Sequence, residues 1–218
     1  MGNTYDEVID VCKEKEHIEK AGRIEVLMIT GQIEGHTAAP TEVKVTKYEE
    51  ILPIIVAIEE SAEIQGLLLL LNTVGGDVEA GLAIAEAISG MKKPTVSLVL
   101  GGGHSIGIPL AVSAKESFIV PSASMIIHPV RMNGIVLGVE QAFNYLAKMQ
   151  ERINAFIIEH SSTTLEKLNS LLLNTDEMSC DIGSILYGRE AVASGIIDKV
   201  GSIKDALDSL HRQIECFT

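Results

Sequence analysis

Residues Thr95–Val112, TVSLVLGGGHSIGIPLAV, set one serine among glycines, between an apolar run and a segment of small apolar residues. How this junction is read decides the fold. Thr95–Leu100 is short and apolar on both faces, the pattern of a parallel strand covered by helices on each side. Gly101–Gly103 then turns the chain, and Ser105–Ala114 continues as a helix of small residues. Pro94–Ala114 carries no Asp, Glu, Lys or Arg and approaches the length of a membrane span. The glycine cluster and Pro109 break it into strand, turn and helix instead.

Upstream the same grammar recurs. GLLLLLN (66–72) reads as a central strand, TVGGD (73–77) as a glycine turn, and VEAGLAIAEAISG (78–90) as a helix with small apolar positions. Before these, RIEVLMITGQ (23–32) alternates as a first strand and GHTAAPTEVKVTK (35–47) reads as a loop. YEEILPIIVAIEES (48–61) reads as a helix with Pro53 in its first turn. Downstream, FIVPSASMIIHP (118–129) suggests two short strands about a Ser/Pro turn, and RMNGIVLG (131–138) a glycine-bounded excursion. Val139, Ala142, Phe143, Leu146, Met149, Ile153, Phe156 and Ile157 then recur at helical spacing, forming one long amphipathic helix over 139–160. The remainder continues α/β with no linker or repeat. The expected architecture is α/β, a single domain over 1–218 whose residues 1–22 form a charged, helical opening segment.

The formal net charge of −13 leaves no basic face for nucleic acid or an anionic membrane. Cys12, Cys180 and Cys216 are widely spaced and form no CxxC pair, which excludes a disulfide framework or a zinc ribbon. The charged opening segment has no apolar core of the kind a secretory signal needs. Together these point to a reducing cytoplasm.

Gly103–Gly107 matches G-x-S-x-G in the strand–turn–helix context that a nucleophile elbow requires. Ser105 would then sit at a helix start, where backbone N–H groups stabilise developing negative charge. The turn at Gly75 and Gly76 would bring a second N–H donor close to a substrate. A plainer reading makes Ser105 a helix N-cap and the glycines packing necessities. The serine needs a base. Of His17, His36, His104, His128, His160 and His211, only His128 ends an apolar strand, SMIIH, at the sheet edge where such sites form. His104 adjoins Ser105, but neighbouring residues at a helix start do not face one another. His17, His160 and His211 lie in charged or polar helical stretches and are read as solvated.

NTVGGDVEAGLAIAEAI, GGGHSIGIPLA, SMIIHP and EAVASGIID, in this order and spacing, resemble the proteolytic subunit of the Clp protease, a family of serine peptidases. The wording, TGQIEGH included, is similar to its translocation-enhancing branch, and the likeness runs from about Arg23 to about Gly201. It implies a crotonase-like spiral of βαβ units, heptameric rings that usually stack in pairs around a chamber, and a handle helix at 139–160 joining them. It also implies Ser105 as nucleophile, His128 as base, and Gly76 with Ile106 as oxyanion donors. Segments around Gly75, Gly76 and Val78, and around Arg131, Met132 and Asn133, would hold an extended peptide by strand addition. Asp181, just before EAVASGIID, is the acid the resemblance favours over Asp176 and Glu177. Val74 stands where the family has Pro and His104 where it has Ala, and His128 meets Pro129 without the intervening Gln. The loop between His36 and Tyr48 is longer, and residues 1–22 do not match the axial loops, so an ATP-driven unfoldase partner is left open.

The expected function is a cytoplasmic, oligomeric serine endopeptidase with a Ser105, His128, Asp181 triad and no metal or organic cofactor. Three alternatives stand beside it. An esterase would use Ser105, Asp198 and His211. A crotonase-type acyl-CoA enzyme would share the oxyanion donors without needing Ser105. A non-catalytic ring would bind translocation partners.

Overall fold

The computed structural model describes residues 23–132, 138–176 and 182–217. Among these the chain forms eight strands and seven helices. β1 (Arg23–Glu34), β2 (Val45–Lys47) and α1 (Tyr48–Glu60) come first, followed by β3 (Ile64–Gly76), α2 (Val78–Ser89), β4 (Thr95–Gly103) and α3 (Gly107–Val112). β5 (Glu116–Ile119) and β6 (Ser124–Ile127) lead to the long α4 (Val139–Glu159) and to α5 (Leu165–Leu172). β7 (Ser184–Tyr187), α6 (Gly188–Ala193), β8 (Lys199–Val200) and α7 (Ile203–Phe217) complete the order.

The sheet is parallel along the path β2-β1-β3-β4-β5-β8. β6 leaves it at one parallel bridge, Gly102 opposite Ser124, and pairs antiparallel with β7. β3 and β4 are central and apolar on both faces because both faces are covered. Leu67, Leu69 and Leu71 point into the larger core with α1, α2 and α3. Leu68 and Leu70 meet Val96, Leu98 and Phe118 beneath Ala206, Leu210 and Ile214 of α7. β1 is covered on one face only: Ile29 and Ile33 are buried, whereas Val26 is 47 % and Met28 56 % exposed. The strand–turn–helix repeat expected for 66–114 is therefore present. It brings the carboxyl ends of β3, β4 and β6 together, the edge at which open α/β sheets place their sites.

Several elements differ from the sequence-based expectation. The loop over 35–47 contains β2, whose Thr46 hydroxyl donates to the Thr30 carbonyl at 2.8 Å and accepts from the Thr30 N–H at 3.0 Å. Pro53 is the sixth residue of α1 and sits in its second turn. β3 runs on through the glycines to Gly76 because Gln32 and Ile33 of β1 keep pairing with Gly75 and Gly76. β7 was not anticipated, since SILY is too short to show a period. The apolar stripe of α4 is divided. Ile153, Phe156 and Ile157 are buried in this chain's own core, while Val139 is 83 % and Phe143 70 % exposed. His160 is half-buried, not solvated, with Nδ1 at 2.8 Å from the Phe156 carbonyl and its ring stacked on Phe156. The opening segment 1–22 lies outside the described residues.

Candidate active site

β4 ends at Gly103, and the next residues pin the turn. His104 N–H donates to the Thr73 carbonyl at 3.2 Å and Ser105 N–H to the Ile126 carbonyl at 2.8 Å. α3 starts from the other side of the same residues, Gly107 N–H taking the His104 carbonyl and Ile108 N–H the Ser105 carbonyl. Held from both sides, Ser105 adopts φ +55°, the one non-glycine residue at positive φ among those described. Such backbone costs about 1–2 kcal/mol and persists only where surrounding structure imposes it.

The N-cap reading of Ser105 fails. The capping position belongs to Ile106, which offers no side-chain bond, and among the described residues the Ser105 hydroxyl has no internal partner. Its oxygen is left for chemistry. The glycines of the preceding turn serve packing more than access to a substrate. A Cβ at Gly75, φ +86°, would lie 2.8 Å from both the Ser105 Cβ and the His104 carbonyl, and one at Gly76 would lie 2.2 Å from the Ile33 carbonyl. The Asp77 N–H is spent on that Ile33 carbonyl at 3.0 Å, and β4 pairs with β3 only as far as Gly103. Alternation along the strand therefore turns the Gly76 N–H to the side that β4 has already left.

A cavity of about 130 Å³ opens at this point, lined by Gly76, Val78, Ser105, Ile106, His128 and Arg131 together with apolar residues of α3, α4 and α5. His128 Nδ1 lies 2.8 Å from the Pro129 carbonyl, which can only accept, so Nδ1 carries a proton and in the neutral ring Nε2 holds the lone pair. That tautomer suits a base. Behind the serine, His104 accepts the Ile126 N–H on Nδ1 at 3.1 Å. Burial, and then the charge of His128, hold the His104 pKa below the ordinary 6.5.

A serine at a strained strand-to-helix turn and an imidazole share this cavity. The Clp protease family model matches residues 25–204. The chain belongs to the Clp protease family. Translocation-enhancing protein TepA of Halalkalibacterium halodurans is 53 % identical over 192 residues, covering 88 % of this chain and 75 % of that protein. Clp protease family membership supports a peptidase-type function, and members of the family usually form oligomeric rings. No helix among the described residues is long and apolar enough to cross a membrane.

Of the residues that the Clp protease resemblance singles out, Gly76, Val78, Ser105, Ile106, His128 and Arg131 come together around one cavity. Gly75 lies behind it against Ser105, and Met132 is exposed outside it. Asn133, Glu177 and Asp181 lie outside the described residues; Asp176 is exposed and accepts no bond from His128. The esterase set does not assemble. Asp198 is taken by the Ser117 N–H and hydroxyl, both at 2.8 Å, and neither it nor His211 lines the Ser105 cavity. Sequence reasoning missed an amide pair on α4. Gln150 Nε2 donates to Asn154 Oδ1 at 2.8 Å, and Gln150 Oε1 takes the Val130 N–H at 2.8 Å. This pair ties α4 to the segment after His128. Its signal was present: two amides four residues apart, set within the apolar stripe.

Proposed function

We propose that this chain is a serine endopeptidase that hydrolyses peptides and unfolded proteins by acyl transfer. Ser105 Oγ attacks the scissile carbonyl, His128 Nε2 takes its proton and passes it to the leaving amine, and water then releases the acyl group by the same shuttle. The oxyanion rests on the N–H groups of Gly76 and Ile106. The peptide lies extended between Gly75–Val78 and the segment Arg131, Met132, Asn133, held through its main chain, which leaves side-chain demands loose. Asp181 is the assigned acid. It would have to reach the Nδ1–H that Pro129 holds, and would then stabilise the charged ring.

One observation carries this reading: a serine hydroxyl without a partner among the described residues, on a backbone bent to positive φ, shares a cavity with an imidazole whose Nε2 is left as the basic nitrogen of the neutral ring. A fluorophosphonate probe followed by mass spectrometry tests it. Modification at Ser105, abolished in His128→Ala, is the expected result; an unmodified wild-type protein overturns it. A second reading, a catalytically silent ring that binds translocation partners, is favoured by the hold of Pro129 on His128 and by the name of the relative. The same absence of labelling would support it.

The spiral of βαβ units is taken to be crotonase-like and to assemble as heptameric rings in the cytoplasm. The exposed first half of α4 is the proposed joint between stacked rings, with Val139 and Phe143 as its apolar contacts. Phe143→Glu is expected to lower the mass measured by light scattering; an unchanged mass removes α4 from the joint. Ile153 is no part of this test, because it belongs to the chain's own core.

A further inference from the structure

His104 lies beside the nucleophile, and no step of the proposed chemistry uses it. β4 and β6 share one bridge, Gly102 opposite Ser124, before the serine turn bends away from the strand direction. Ile126, two residues further along β6, then lies opposite a turn rather than a strand. Its carbonyl is taken by the Ser105 N–H at 2.8 Å. For its N–H the nearby main chain has less to offer, because the His104 carbonyl is turned into α3, where Gly107 N–H holds it at 2.8 Å. The imidazole supplies the missing acceptor, Nδ1 standing 3.1 Å from the Ile126 nitrogen.

The seat for this ring is built. A Cβ at Gly102 would come within 2.7 Å of His104 Nε2 and 3.0 Å of its Cδ2, so the ring occupies this seat against a residue without a side chain. Two consecutive residues of the serine turn thus grip both polar groups of Ile126, and His128 follows two positions later, directly after the end of β6.

We propose that His104 is a positioning residue: its side chain takes the place of a sheet rung between the serine turn and β6, and so sets Ser105 relative to His128. The proposal rests on the assignment of Ser105 and His128 as nucleophile and base. Its chemistry requires a neutral ring with an unprotonated Nδ1, because a protonated Nδ1 meets the Ile126 N–H as donor against donor. Among the described residues His128 is the titratable group whose charge acts on His104, adding to burial in holding the His104 pKa below its ordinary value.

His104→Ala and His104→Asn are compared with wild type for the rate of fluorophosphonate labelling at Ser105 and for peptide turnover. The alanine variant removes the acceptor, and a misplacement of the order of 1 Å costs roughly 100-fold. The loss is expected in kcat, with KM little changed. Asparagine offers an uncharged oxygen near the place of Nδ1, and is expected to restore most of the rate at neutral pH and to shift the acid limb of the profile. Wild-type labelling by His104→Ala, or no rescue by folded His104→Asn, overturns the proposal. A measurement independent of catalysis accompanies these: ¹⁵N-histidine spectra of Ser105→Ala, in which His104 Nδ1 is expected to be unprotonated and coupled to the Ile126 amide. A proton on Nδ1 overturns the proposal even if the variants fail to fold. Absence of Ser105 labelling in wild type, with that coupling present, instead removes the catalytic assignment and leaves the His104–Ile126 contact as a structural bond.

Discussion

The turns after β3 and β4 look alike in sequence, each a strand ending in glycines with a polar residue before a small-residue helix, yet they do opposite things. After β3, the Asp77 carboxylate accepts the Ala80 N–H at 2.8 Å and caps a helix of 12 residues. After β4, Ser105 caps nothing, its backbone is turned to φ +55°, and the helix that follows has 6 residues. A polar oxygen at a helix start either satisfies the helix or stays available for chemistry. Here the choice is made by backbone held from outside, since Thr73 and Ile126 anchor the second turn through His104 and Ser105.

Substitutions at matching places should separate the two roles. The largest effect is expected at the serine turn: Ser105→Ala or His128→Ala should lower peptide turnover by roughly 10⁴ to 10⁶ with the fold intact. Ser105→Gly should lose activity equally and yet gain about 1 kcal/mol of stability, read by denaturant unfolding, because glycine relieves the positive φ. A stability loss there would mean that the turn is not strained. Asp181→Asn comes next, with a fall of about 10⁴ if this acid holds the imidazole tautomer. Activity near wild type would leave Pro129 as the sole orienting partner of Nδ1.

Smaller effects are expected on stability. Gly75→Ala should cost roughly 1–3 kcal/mol through its positive φ and the crowding of the Ser105 Cβ. Asp77→Ala should cost about 1 kcal/mol, the loss of one N-cap, with turnover close to wild type. A large activity loss there would erase the distinction between the turns. The mildest change concerns pH. Because the folded His104 resists protonation below 6.5, the unfolded chain binds more protons once the pH falls past that value. Stability should therefore decline from about 6.5 downward and level off beneath the lowered folded value, and thermal melts of His104→Asn should show a shallower decline.

How legible the fold was depended on the length of each pattern. GLLLLLN and TVSLVL were long and uniform enough to be read as covered strands, and the two cores on opposite faces of β3 agree with that. VTK and SILY were too short to carry a period, so β2 and β7 emerged only from their pairing with β1 and β6. The stripe of α4 was visible as one helix face. Its division into a half buried at home and a half left exposed was not, because both halves obey the same spacing.

The sequence by itself determined the strand–turn–helix repeat and the family, and it singled out Ser105 and His128 as the proposed pair, since these rest on local residue types in a fixed order. Tertiary structure alone decided which of two similar turns frees its oxygen, which nitrogen of His128 faces the Pro129 carbonyl, and what the His104 ring bonds. The serine turn and the His104 ring depend on a partner far away in the chain, Ile126, whereas the His128 tautomer depends on how the chain folds back at Pro129. A hydrogen bond between residues about twenty positions apart leaves no period and no local preference behind, so the folded chain is the first place where it can be read.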